Sequence, residues 1–324
     1  MSLRRLLLVA PLLGAACTPD PGTGPRRLVE DDTAAVETDA PHTDLTPRDT
    51  DPGTDTAVDS DTDDPSQLTF QEALSLLFRD LRASPAIPNA WIKVLRDKRE
   101  AARLAAGGTE PWSVTLGPHL TADLLGGAKA PTGTDPADQI AVAAFTTSTL
   151  DFDDHLALAL DANQVCIATN STVYHRRTYT SNCAPAAFRT GGCSPLVATA
   201  EVHRKLSFLA AAWLDLHEEL RLLTLPTGGR ALLARTWTEE VVQGHGGGDF
   251  RQEFTLDVWV EEGGSTWRAS ALWVELDLGL DIGSTLRNAV TSGFAREEAF
   301  VTDGGSSCGE DRDAAYTRDA DEAG

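Results

Sequence analysis

The chain has 324 residues, 49 of them acidic against 27 basic, for a net charge of −22. Affinity for phosphate needs clustered Lys and Arg, and none cluster here, which argues against nucleic acid and against charge-driven docking on anionic lipid. Half of the excess lies in one stretch, residues 18–66, where 14 acidic residues face Arg26, Arg27 and Arg48 for a net of −11.

The first seventeen residues read as an export signal. Arg4 and Arg5 form a basic start, residues 6–13 an apolar core, and Gly14, Ala15 and Ala16 the small residues that a peptidase requires. The apolar core is interrupted by Pro11 and falls well short of the roughly 20 residues of a membrane-spanning helix. Leu13-Gly14-Ala15-Ala16-Cys17 resembles the lipobox of bacterial lipoproteins, with leucine four residues before the cysteine instead of three. The resemblance implies cleavage after residue 16, lipid (palmitate among its acyl chains) on Cys17, and attachment to the membrane through that lipid. Thr18 rather than Asp after the cysteine points, by analogy with lipoprotein sorting, to the outer membrane of a bacterial envelope.

Residues 17–66 hold seven prolines, ten threonines and no aromatic residue. Such a composition cannot bury enough apolar surface to offset ordering entropy, so a disordered acidic stalk is expected. Asp59, Asp61 and Asp63 mimic the start of an EF-hand loop, but Asp64 stands where glycine is needed and Phe70 where a bidentate Glu is needed.

The globular part is expected over residues 67–303, followed by a polar tail at 304–324. Thr69 and Glu72 form a capping box ahead of Phe70, Leu74, Leu77, Phe78 and Leu81, which recur at helical spacing until Pro85. A second helix is expected over residues 89–106, closed by Gly107-Gly108. Residues 140–152, 156–170 and 172–180 read as strands, the last two turning near Asn170-Ser171. Residues 206–223 are ambiguous: a seam of Leu206, Leu209, Trp213, Leu216, Leu220 and Leu223 favours a helix, while Phe208, Ala210, Ala212, Leu214 and Leu216 alternate as in a strand. Three runs at 231–242, 250–261 and 265–278, separated by glycine-rich turns, form an antiparallel meander with one buried face. Asp257 falls on its polar side. Residues 286–300 are expected to close the domain as a helix. The fold class is therefore α+β, N-terminal helices followed by antiparallel sheet.

Cys166, Cys183, Cys193 and Cys308 make an even count in an exported chain and suggest two disulfides. Pairing Cys183 with Cys193 leaves Cys166 to Cys308; pairing Cys166 with Cys183 is the close alternative. Their gaps of 17, 10 and 115 residues fit no metal motif.

Three motifs invite catalytic readings, and each fails a physical requirement. His245-Gly246-Gly247-Gly248 resembles the oxyanion loop of lipase-like hydrolases, and residues 305–309 have G-x-S-x-G spacing. No histidine follows His245, so no triad can be completed in that order. His217-Glu218-Glu219-Leu220-Arg221 has arginine where a second zinc ligand would stand. His203 and His217 remain open to convergence in space. Of seven tryptophans, Trp237, Trp267 and Trp273 either fill the core or line a pocket for an apolar or sugar ligand. No catalytic residue, cofactor or metal ligand is assigned. The leading reading is a tethered, non-enzymatic binding or structural module; the alternative is a carrier of a lipid-like or other apolar ligand in a Trp-lined pocket, and the third an enzyme with a dispersed site. An interior cavity lined by tryptophans would favour the carrier, a filled core with an exposed apolar patch the structural module.

Overall fold

The computed structural model describes residues 65, 67–117, 120–168, 172–205, 211–244, 248–277, 282–306 and 308. They lie in one compact unit, Asp59–Gly324. The signal, Cys17, the EF-hand-like aspartates, the Asn170-Ser171 turn and most of the polar tail fall outside the described residues.

The fold is α+β. Helix α1 (Phe70–Arg79) starts at the capping box: Thr69 Oγ1 accepts from the Glu72 amide at 3.2 Å, and Glu72 Oε2 accepts from the Thr69 amide at 2.7 Å. Phe70, Leu74, Leu77 and Phe78 are buried along one side, each contributing roughly 1.5–3 kcal/mol. Helix α2 (Ala86–Ala105) turns Ile92, Val94 and Leu95 into the same core.

Nine strands form one antiparallel sheet: β1 (Trp112–Thr115), β2 (Ile140–Ser148), β3 (Thr172–Tyr179), β4 (Leu196–Lys205), β5 (Ala211–Thr224), β6 (Arg230–Thr238), β7 (Val242–Gln243), β8 (Asp249–Glu262) and β9 (Ser265–Asp277). Their order is β1-β2-β9-β8-β6-β5-β4-β3, with β7 paired to β8. Three further helices, α3 (Phe152–Ala159), α4 (Pro185–Arg189) and α5 (Gly283–Thr302), complete the domain. The meander is present as β6, β8 and β9. Gly263 and Gly264 join β8 to β9 with φ of 61° and 83°, the left-handed pair that a tight hairpin turn requires.

Three expectations are corrected. The expected helix over residues 206–223 is strand β5 from Ala211 on. β5 lies between β4 and β6, with Leu214, Leu216 and Leu220 buried on one face and Trp213 and Leu223 on the other. A strand covered on both sides loses strict alternation, and its leucines then imitate a heptad seam. The expected strand over 156–170 begins as α3, whose Phe152, Leu156 and Ala159 pack on the sheet and whose first turn carries Asp153 and Asp154, favourable to the helix dipole. The meander, finally, has two covered faces. Phe254, Leu256, Val258 and Val260 pack against α1 and α2, while the opposite side of the sheet meets α3 and α5. No helix among the described residues is long and apolar enough to cross a membrane.

Candidate functional site: a cavity between the sheet and α5

The two covered sides of the sheet are packed differently. Towards α1 and α2 the space is filled by rings: Phe145 stacks on Trp112 and Trp267 at 5.2 Å each, and Phe78 meets Phe254 and Trp273 edge-on at 5.9 Å. Trp237, Trp267 and Trp273 all belong to this filled core, and none lines the cavity on the other side of the sheet. The pocket assigned to them is corrected accordingly: even-numbered and odd-numbered residues of β9 face opposite sides, and both β9 tryptophans fall on the filled one.

Towards α5 a cavity of about 760 Å³ remains, within the range of small-molecule sites. One part of its wall is aliphatic and aromatic: Phe250, Leu272, Val274 and Leu276 from the sheet, Leu286 and Val290 from α5. Another part is polar. Thr236 faces Thr255 across β6 and β8, and Asp257 faces Ser270 across β8 and β9. The two threonine hydroxyls are 2.5 Å apart, and Asp257 is hydrogen-bonded to Ser270. These four side chains are half-buried although each strand is paired on both sides. The surface they leave uncovered therefore faces the cavity, which all four line. Burial pushes the Asp257 carboxyl above the ordinary carboxylate range, against the opposing pull of Ser270 and Arg268.

Around this patch, charges come in pairs. Glu218 on β5 takes the Arg177 guanidinium and lies 3.4 Å from His175 Nε2. Burial alone would raise the Glu218 carboxyl, but Arg177 and His175 outweigh it and hold it at about 2. Burial likewise lowers His175 despite Glu218. Arg204 pairs with Glu253, the Nη2–Oε1 distance being 2.6 Å. Arg268 lies 2.9 Å from Glu297 on α5, with its guanidinium 4.6 Å from the Phe294 ring and 5.4 Å from that of Trp259. Burial pushes Glu297 up, and Arg268 and His155 bring it below its ordinary value.

Glu297 also receives His155 Nδ1 at 2.5 Å, and His155 Nε2 is 2.8 Å from Ser148 Oγ. This is the connectivity of a serine–histidine–carboxylate triad. Its hydroxyl is sealed in, however: Ser148 and His155 are 4% and 0% exposed, neither lines the cavity, and Ser148 Oγ accepts from the Leu150 amide at 3.1 Å. A triad needs space for a substrate carbonyl beside the hydroxyl. The network instead fastens β2, α3 and α5 to one another.

The histidines of the failed zinc motif do not meet. His203 stacks on Trp213 at 4.5 Å, and His217 on Trp237 at 5.4 Å, with Glu239 at 3.7 Å. Among the described residues no cluster of His, Cys, Asp or Glu could hold a metal ion. The disulfides are Cys166–Cys308 and Cys183–Cys193, with Cα separations of 5.4 and 5.6 Å. The lipase-like loop at residues 245–247 lies outside the described residues, and Cys308 of the G-x-S-x-G segment is taken by its disulfide.

No protein-family model matches the sequence, and no curated protein matches it. Similar solved structures include a STAR-related lipid transfer protein fragment from Xanthomonas axonopodis, 7% identical with a TM-score of 0.41, the match covering 60% of this chain and 95% of that one. They also include the lipid transfer and protein localization domain of human StarD13, 12% identical with a TM-score of 0.30, covering 64% of this chain and 95% of that one. Similarity this distant carries no functional argument.

Proposed function

We propose that the domain binds an apolar or amphipathic small molecule, lipid-like in character, in the cavity beneath α5. The single observation that carries the reading is a space of about 760 Å³ on one side of a sheet whose other side is filled to contact by aromatic rings. A purely structural module gains nothing from such a void, because the residues around it forgo dispersion contacts. The aliphatic part of the wall supplies burial for a hydrocarbon, at roughly 25 cal/mol per Å² of apolar surface removed from water. Trp259 is the one tryptophan that lines the cavity, so the site is built from aliphatic residues more than from indoles. The test is native mass spectrometry and organic extraction of the purified protein. Up to one apolar molecule per chain is expected, and preparations that carry none and also fail to take up an added hydrophobic fluorophore would defeat the reading.

We further propose that the carrier is tethered to a bacterial envelope, on the outer membrane, by lipid on Cys17. The support is the signal-like segment that ends in Leu13-Gly14-Ala15-Ala16-Cys17, and the acidic, proline-bearing stretch that follows it. Metabolic labelling with a palmitate analogue tests this: label is expected on the wild type and not on Cys17→Ser. Label that survives the substitution, or never appears, contradicts it.

A further inference from the structure

The polar part of the cavity wall says what kind of head group the occupant carries. This inference rests on the carrier reading above and narrows it. Three cations on the wall, Arg177, Arg204 and Arg268, are each held by a carboxylate, respectively Glu218, Glu253 and Glu297. Lys205, at the end of β4, is not free either. A ligand carboxylate or phosphate would have to share a guanidinium with the carboxylate already bound to it, which sets two like charges side by side in a low-dielectric site and is unfavourable.

The carboxyl groups are not so evenly matched. Glu218 and Glu297 each have an arginine, whereas Asp257 is hydrogen-bonded to the Ser270 hydroxyl and, among the described residues, forms no ion pair. It stands among Thr236, Thr255 and Ser270, the half-buried hydroxyls whose open surface faces the cavity. Oxygen atoms dominate this patch: its three hydroxyls both donate and accept, one of them already turned to Asp257, and an ionised carboxylate only accepts. What it lacks is a donor with charge to give.

We propose that the cavity selects an apolar molecule whose head group donates hydrogen bonds, an alcohol or a primary amine, seated on Asp257, and that it rejects carboxylate and phosphate head groups. Alcohol and amine share the donor chemistry and differ in charge, so a matched series separates them.

The experiment is displacement of Nile red, an uncharged fluorophore, from the full chain by dodecanol, dodecylamine and dodecanoic acid. The alcohol, the amine or both should displace the dye at least about tenfold more tightly than the acid, the discrimination expected of one charge-assisted hydrogen bond. In Asp257→Asn the preference for amine over acid should fall by about tenfold, since the amide keeps an acceptor and loses the charge. Should that variant not fold, the order of the three ligands on the wild type still decides. An acid that binds as tightly as the alcohol and the amine overturns the head-group proposal while leaving the carrier reading intact, and so does an Asp257→Asn protein whose preferences among the three match the wild type in size. A protein that binds neither Nile red nor any of the three chains overturns the carrier reading itself, and this inference with it.

Discussion

One sheet, read on its two sides, gives two different materials. On the side of α1 and α2, Trp267, Trp273, Phe254 and Phe145 pack ring against ring, and the charged side chains buried there, Arg235, Glu219 and Arg221, are all engaged. Arg235 donates to Glu219 at 2.8 Å and to the carbonyls of Phe78 at 2.8 Å and Gly126 at 3.0 Å, which ties α1 and the turn at Gly126 to the sheet. On the side of α5 the neighbouring residues of the same strands are Thr255, Asp257, Ser270 and Leu272, smaller or polar, and a cavity results. Both disulfides stand on this hollow side or at its edge: Cys183 and Cys193 belong to the cluster beneath α3, and Cys166 precedes the cavity-lining Ile167 and Ala168.

That contrast can be broken in several ways, taken here from the largest expected effect. Replacing Cys166 and Cys308 by serine opens a loop of 142 residues and should cost about 5 kcal/mol by loop-closure entropy, against about 3 kcal/mol for Cys183 and Cys193, which are 10 residues apart. Urea denaturation of the two double variants checks the order. Trp273→Ala, on the filled side, should lose about 3–5 kcal/mol in the same assay.

Glu218→Gln should cost about 3 kcal/mol at neutral pH. The sign follows from the direction of the shift. With the folded carboxyl at about 2, below its unfolded value, the stabilisation is complete above the unfolded value and is lost as pH falls through it toward 2. The gap between wild type and variant should therefore close between about pH 4.5 and pH 2. A gap that stays constant over that window would show that Glu218 is not held by Arg177 and His175. The smallest effects separate the two sides most sharply. Ala271→Leu points into the filled core and should cost about 1–3 kcal/mol, whereas Leu272→Trp, one residue on, points into the cavity and should cost under about 1 kcal/mol.

Much of the filled side was legible in the sequence. The Thr69–Glu72 capping box, the stripe of α1, the hairpin glycines and the common face of Trp267, Ala269, Ala271 and Trp273 are local patterns, and the structure carries all of them. The hollow side was not legible. Alternation tells which residues share a face but not whether that face meets water, a helix or a void, so Asp257 read as a solvated residue of the meander. Glu297 meets Arg268 and His155, which lie far from it in sequence, and His155 sits in a segment that read as strand. No spacing rule links such residues. Cys166–Cys308 was one of the pairings left open, because a cysteine count fixes the number of disulfides and not their partners.

The central claim is that the space under α5 is a binding site and the aromatic side is not. Nile red titration of the wild type beside Leu272→Trp/Val290→Trp, which fills the cavity from β9 and from α5, tests it most directly. Saturable binding to the wild type, near one dye per chain, and at least tenfold weaker binding to a variant that still unfolds cooperatively are the predicted results. Equal binding to both proteins would contradict the account.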